Sequence, residues 1–404
     1  MKSYHIFILG ICILAGYRAV AKDSDSSKVF FSNSAELLLR NKPGLGIGGY
    51  GEVHYNQPLN KGLFDAGTLD VHRVVLFVGY NFSKNTQFVT EIEVEYAKEV
   101  WIEQAFIQQK LFRFVNFRAG LLLIPMGIIN EYHEPTTFNG VERPVIDNKI
   151  CPTTWREVGM GFTGNIQPAS LKYQLYVVNG FSGYDGTSAL FSGSKALREG
   201  RQKGSKSYMF SPNFSGKIEY YGIPGLSLGL SGYAGKSQSR LFQGLNKDSA
   251  ALIATADSSV VGITMAGLDA RYTYKGLRLT GQFYYTAVSN TGDYNLFTGS
   301  NGKPNDLGRS MTGYYIEAGY NVFRLFPKIR QELMPFVRYE FYNTQLSMAG
   351  EADKNPANEN TVVTAGVTFT IIRNVVLKSD MQFVRPAAAD VFQKVFNAGI
   401  GVTF

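Results

Sequence analysis

Glu91, Glu93 and Glu95 stand at every second position of one segment. In an extended strand, a side-chain period of two puts all three carboxylates on one face. Paired carboxylates can serve as general acid and base. Three in a row on one strand read first as a charged wall whose counter-charges lie opposite. Other groups able to do chemistry are sparse. His54 and His72 fall in alternating, strand-like segments, and His133 falls in an irregular one. The chain contains no GxSxG and no HExxH, and no Ser/His/Asp set follows from spacing. Cys12 lies in an amino-terminal segment expected to be removed, which leaves Cys151 alone. No intramolecular disulfide and no cysteine metal cluster are then possible. Neither catalysis nor a cofactor nor a metal site is expected.

The elements that must position these groups are short alternating segments separated by turn residues. The pattern predicts strands over 45–56, 69–82, 86–97, 101–110, 115–125, 156–166, 170–181, 213–221, 225–236, 259–274, 277–289, 311–323, 334–345, 361–372, 375–385 and 393–404. The last is the clearest. Phe404, Val402, Ile400, Ala398 and Phe396 are all apolar, while the interleaved residues are mostly small or polar. It resembles the closing strand of bacterial outer-membrane β-barrels, whose terminal aromatic, here Phe404, is read by the barrel-assembly machinery. Sixteen is an even number, as single-chain bacterial barrels require. The fold class is therefore all-β: a transmembrane antiparallel β-barrel over 45–404.

Connections support this. Ser83-Lys84-Asn85, Gln167-Pro168-Ala169, Gly222-Ile223-Pro224 and Lys275-Gly276 are tight, whereas 126–155, 182–212, 237–258, 290–310 and 346–360 are long. Short periplasmic turns alternating with long extracellular loops mark outer-membrane barrels. Two gaps break the rule: 98–100 is very short on the long side, and 324–333 is long on the short side. With 404 residues, 45% hydrophobic, and a mean hydropathy of −0.08, a membrane protein of this composition has to be a barrel. Residues 1–21 read as a signal peptide, with Lys2, an apolar stretch from Ile6 to Ala15, and Ala19-Val20-Ala21 at the cleavage site. Residues 22–44 read as a periplasmic lead-in. Without Lys2 and Arg18, 38 basic residues face 32 acidic ones, a net charge of +6. There is no basic run or phosphate-binding loop, so no nucleic acid is expected as a partner.

Alternation assigns the faces. Leu171, Tyr173, Leu175 and Val177 face lipid, and Lys172, Gln174 and Tyr176 face inward. The inward set includes eight basic residues: Arg73, Arg118, Lys172, Lys217, Arg271, Arg278, Arg338 and Lys378. It also includes eleven acidic ones, among them Glu52, Glu91, Glu93, Glu95 and Glu103. An interior this polar is not a packed core and calls for water, so the lumen is expected to be open. Counted by height, the cations form a belt at or below mid-height and several acids lie near the outer mouth. Residues 183–212 return Lys195, Arg198, Arg201, Lys203 and Lys206 to the outside.

The block Asn116 to Trp155 carries the most specific pattern. An Arg-x-Gly strand runs into Ile124-Pro125-Met126-Gly127, and Glu142-Arg143-Pro144 follows in a long loop. This resembles the phosphate-selective porins typified by porins O and P, which have a GxxxxPFG-like strand end and a similar E-R-P element. Met126 stands where the family often has Phe. Asp70-Val71-His72-Arg73 resembles the family's strand with paired arginines, with His72 in place of the first. The resemblance implies a homotrimer in the outer membrane of a Gram-negative bacterium, in contact with lipid and lipopolysaccharide. It also implies that 126–155 folds inward as a constriction loop, bringing Glu131, His133, Glu142 and Arg143 into the pore. The expected function is passive diffusion of small polar solutes with a modest preference for anions such as phosphate. The mixed charge inventory departs from a uniformly basic phosphate channel. The alternative is a surface receptor or adhesin whose loops bind a partner. A barrel protease or phospholipase is the remaining enzymatic reading.

Overall fold

The computed structural model describes residues 43–404 apart from 60, 61, 63 and 350–352. The expected signal peptide, 1–21, and residues 22–42 of the expected lead-in lie outside the described residues. The strands are β1 (Gly44–Pro58), β2 (Thr68–Asn81), β3 (Thr86–Glu95), β4 (Glu99–Phe112), β5 (Val115–Leu123), β6 (Arg156–Ile166), β7 (Leu171–Val178), β8 (Ser182–Tyr184), β9 (Asn213–Tyr220), β10 (Leu226–Lys236), β11 (Gln238–Ser239), β12 (Gly262–Tyr274), β13 (Leu277–Ser289), β14 (Ser310–Tyr320), β15 (Glu332–Ser347), β16 (Glu359–Ile372), β17 (Val375–Pro386) and β18 (Gln393–Thr403). Sixteen of them close into one barrel in chain order, and the short β8 and β11 pair with each other as a separate two-stranded sheet that is not part of the wall.

Closure is a matter of hydrogen bonds. An open sheet edge has unpaired backbone groups that lipid cannot satisfy. β18 removes that edge by pairing with β1 from Tyr50↔Thr403 to Pro58↔Val395. The Phe404 amide then donates to the Gly49 carbonyl at 2.8 Å, and the Gly49 amide donates back at 2.9 Å. The expected closing strand thus meets the first strand.

One rim has tight turns and the other has long loops. Lys275 and Gly276 both take positive φ, 46° and 89°, which suits a two-residue hairpin between twisted strands. The gap after β3 is equally tight: Tyr96 and Ala97 take φ of 51° and 55°. It is a true hairpin on the long-loop rim. The long link after β14 holds a short 3-10 turn, Val322–Leu325.

The faces follow the alternation. On β7, Leu175 and Val177 are exposed on the outside while Lys172, Gln174 and Tyr176 are buried inside. The expectation of an open, purely water-lined lumen is corrected. Residues 124–155 fold into the barrel together with part of 179–212. They bring Ile124, Met126, Ile146, Ile150, Trp155, Phe181 and Phe191 against inward tyrosines of the wall, including Tyr176, Tyr233, Tyr284 and Tyr315. Trp155 stacks on Phe181 at 4.7 Å between ring centroids and lies 4.7 Å from Tyr233. Part of the lumen is therefore an apolar core. Sequence periodicity shows which residues point inward, but not whether water or a folded loop receives them.

Candidate functional site

The loop 124–155 turns into the barrel at Ile124-Pro125-Met126-Gly127. Gly127 has φ of +66°, and a Cβ there would meet the Tyr284 hydroxyl oxygen at 1.7 Å. Only glycine lets the backbone approach the β13 wall this closely. Asn130 ties the two ends of the loop together. Its amide nitrogen donates to the Ile124 and Trp155 carbonyls, and its side-chain oxygen accepts from the Trp155 amide at 2.7 Å.

Most of the polar interior holds this loop. The Lys217 ammonium donates to the Gly127 carbonyl and lies 3.3 Å from Glu131, with Asp269 at 3.4 Å. Gln174 also donates to Glu131, and Lys172 donates to the Tyr132 hydroxyl at 3.1 Å. Arg271 pairs with Glu219 at 3.2 Å and stacks over the Tyr132 ring at 4.4 Å. Arg338 pairs with Glu317 at 2.9 Å and donates to the Asn139 carbonyl at 2.7 Å. Asp380 accepts from the Val141 amide and Glu340 from the Val145 amide, at 2.7 and 2.6 Å. Arg118 lies deeper in the wall, bonded to Gln108 and the Tyr176 hydroxyl. Unpaired buried charge is costly, so a wall rich in both signs suits a docked polar loop better than its apolar residues alone would.

On the β3–β4 side, His133 lies between Glu91 at 3.3 Å and Glu103 at 3.1 Å. Burial opposes its charge, but the Glu103 and Glu91 carboxylates outweigh burial and lift His133 to about 10. Glu142 reaches His54 at 3.1 Å and Asn56 at 3.0 Å. Burial raises its carboxyl, but the His54 contact prevails and holds it down at about 2.

Around the loop lie three chambers wide enough for water and small solutes. The outer one is about 470 Å³ and lies against β1–β4. It is lined by Glu52, His54, Arg73, Glu93, Glu95 and Trp101, by Glu142 and Arg143 of the loop, and by Arg156, Arg198, Arg201 and Lys203. Two inner chambers of about 300 and 320 Å³ share Arg278. Phe138 lines all three. The Lys378 ammonium sits 3.7 Å from the centre of its ring, and that buried nitrogen has no hydrogen-bond partner. Phe138 therefore occupies the junction between the outer and inner chambers, with Lys378 against its ring.

The cations of the outer chamber are unevenly compensated. Arg73 is neutralised by Glu52 at 2.6 Å and Glu93 at 3.5 Å. Arg198 instead donates to the Thr153 carbonyl, Arg201 to the Pro152 and Thr154 carbonyls, and Arg143 to the His133 carbonyl. Lys203 lies over the Trp101 ring at 4.3 Å. Burial and the neighbouring Arg198 and Arg156 push Arg201 down to about 9. Burial together with nearby guanidinium groups lowers Lys149 and Lys203 as well. An anion entering this chamber would relieve that mutual repulsion.

Sequence reasoning did not single out Phe138, Trp101 or Arg156. Phe138 had one signal, as the lone aromatic in the polar run Pro135 to Gly140.

No protein-family model matches the chain. A protein of Aquifex aeolicus, described only as uncharacterized, is 32% identical over 360 residues, covering 86% of this chain and 77% of that one. The chain belongs to that protein's family. Its fold is that of outer-membrane porins. An anion-selective porin from Comamonas acidovorans superposes with a TM-score of 0.56 at 12% identity, covering 90% of this chain and 100% of that one. OprB of Pseudomonas putida gives 0.53 at 12% identity, over 89% and 94% of the two chains. Salmonella typhi OmpF, in complex with daunomycin, gives 0.53 at 11% identity, over 89% and 97%. The family member described here is an outer-membrane β-barrel, so the turn rim faces the periplasm and the long-loop rim the exterior.

Proposed function

We propose that the protein is a channel for passive diffusion of small anions across the outer membrane, with selection in the outer chamber. One observation carries this reading. Arg143, Arg198 and Arg201 surround one aqueous chamber and are bonded to backbone carbonyls rather than carboxylates. In a narrow space with low-dielectric walls, uncompensated charge is poorly screened and concentrates counter-ions. Arginine also holds oxyanions through a planar donor fork. The resemblance to phosphate-selective porins makes inorganic phosphate the first oxyanion to test. Arg278 then serves as the anion's next contact below Phe138.

The reading includes no catalytic step. It takes residues 1–21 as a signal peptide, 22–44 as a periplasmic lead-in and 45–404 as the barrel, assembled through Phe404 by the barrel-assembly machinery into a lipid-embedded homotrimer. The test is single-channel recording in a planar bilayer. Discrete current steps in KCl, reduced by added phosphate, support the reading. A protein that inserts, shows no conductance and binds a surface partner through its loops would support the receptor reading instead.

A further inference from the structure

Glu91 of β3, Glu103 of β4 and His133 of the constriction loop bring their ligand atoms within 4.8 Å of one another, all buried. The His133 Nε2 atom is 3.3 Å from a Glu91 oxygen and 3.1 Å from a Glu103 oxygen. A tetrahedral zinc ion with bonds of about 2.1 Å holds its ligands about 3.4 Å apart. The Nδ1 atom of His133 faces the Asn130 carbonyl at 3.3 Å. With Nδ1 donating there, loss of the Nε2 proton on metal binding would turn its lone pair to the ion, the arrangement found in metal-bound histidines. Gln104 donates to the second Glu91 oxygen at 2.7 Å, orienting that carboxylate in the same way.

Two further features point to a missing ligand. The Tyr50 hydroxyl is completely buried and has no hydrogen-bond partner, and its ring stands edge-on to His133 with centroids 6.1 Å apart. The second Glu103 oxygen also accepts from no N–H or hydroxyl group, its nearest cation is Arg156 at 3.8 Å, and the Glu93 carboxyl lies within reach of Glu103.

We infer that Glu91, Glu103 and His133 form a binding site for a zinc-class divalent cation that fastens the constriction loop to the β3–β4 wall. One nitrogen and two carboxylate oxygens suit zinc or its first-row neighbours. Entry is from the outer chamber, which Glu93 and Arg156 line. Bound metal would fix the position of Phe138, five residues further along the loop.

The test uses the whole protein folded in detergent, stripped with a chelator, incubated with Zn²⁺ alone and passed through a desalting column. Zinc per chain is then measured by mass spectrometry. Wild type should retain one zinc, while H133Q and E91Q should retain less than a tenth of that. H54Q, which alters the other histidine–carboxylate cluster, should retain one. Each variant is first checked for heat-modifiable mobility, so that E91Q serves if H133Q does not fold. Co²⁺ in place of zinc should give visible absorption that H133Q loses. Failure of wild type to retain zinc overturns the inference, as does equal retention by both H133Q and E91Q. Neither outcome depends on whether the barrel conducts.

Discussion

The Lys378 ammonium lies 3.7 Å from the centre of the Phe138 ring, where the outer chamber meets the inner ones. The contact joins a buried cation of the wall to the aromatic of the constriction loop that lines all three chambers. Phe138→Ala is expected to raise single-channel conductance. It also removes a cation–π contact of about 0.5–2 kcal/mol. Unchanged conductance would show that solutes do not pass this ring.

Arg338 fastens the same loop from β15, two strands along the same wall. It is 1% exposed, pairs with Glu317 and donates to the Asn139 carbonyl. Arg338→Met leaves a buried carboxylate without its partner, at a cost of about 3–5 kcal/mol. Urea unfolding in detergent measures this. A loss below about 1 kcal/mol would contradict a structural role for the pair.

Cys151 reports whether the loop is docked. It is free and completely buried, and burial raises its thiol, so little thiolate is available to react. A water-soluble maleimide should label native protein at least tenfold more slowly than urea-unfolded protein. Arg338→Met should label faster than wild type. Equal rates in all three would mean that the loop does not pack as described.

The Glu142 contact gives a pH dependence of known sign. Burial raises this carboxyl, but the His54 contact, then the charge of His72 and the Asn56 hydrogen bond, bring it down to about 2 on folding. Asp70 and Glu52 are the acids on the facing strands. A depressed carboxyl stabilises the folded state above its unfolded value of about 4.3, and the stabilisation is lost as pH falls toward 2. Docking of the loop against β1 should therefore persist from pH 7 to about 5 and weaken below about 4. Conductance recorded over this range should change in wild type, with a smaller change in Glu142→Gln. Identical profiles would rule out this carboxyl as the cause.

The barrel was legible because its two environments differ so sharply. Lipid outside and polar groups inside impose a period of two, and the sixteen segments emerge from that alone, down to the last strand ending at Phe404. The site was less legible. Alternation showed that Lys217, Arg338 and Asp380 point inward, but a side chain's face does not reveal its partner. All three meet the loop 124–155. The gap at 98–100 stood out as too short for the long-loop rim, and no glycine there marks the left-handed hairpin that Tyr96 and Ala97 form. The cluster of Glu91, Glu103 and His133 could not be read from spacing, since its members come from three separate elements.

The central claim is that uncompensated cations of the outer chamber select anions. The most direct test is the zero-current potential across a bilayer with a KCl gradient, for wild type and for the combined change Arg143→Gln, Lys149→Gln and Lys203→Gln. These residues line the chamber and have few contacts with the wall. Wild type should show the sign of an anion-preferring channel, and the variant should shift toward cations while keeping its heat-modifiable mobility. A cation-preferring wild type, or a potential the three changes leave unmoved, would contradict the account.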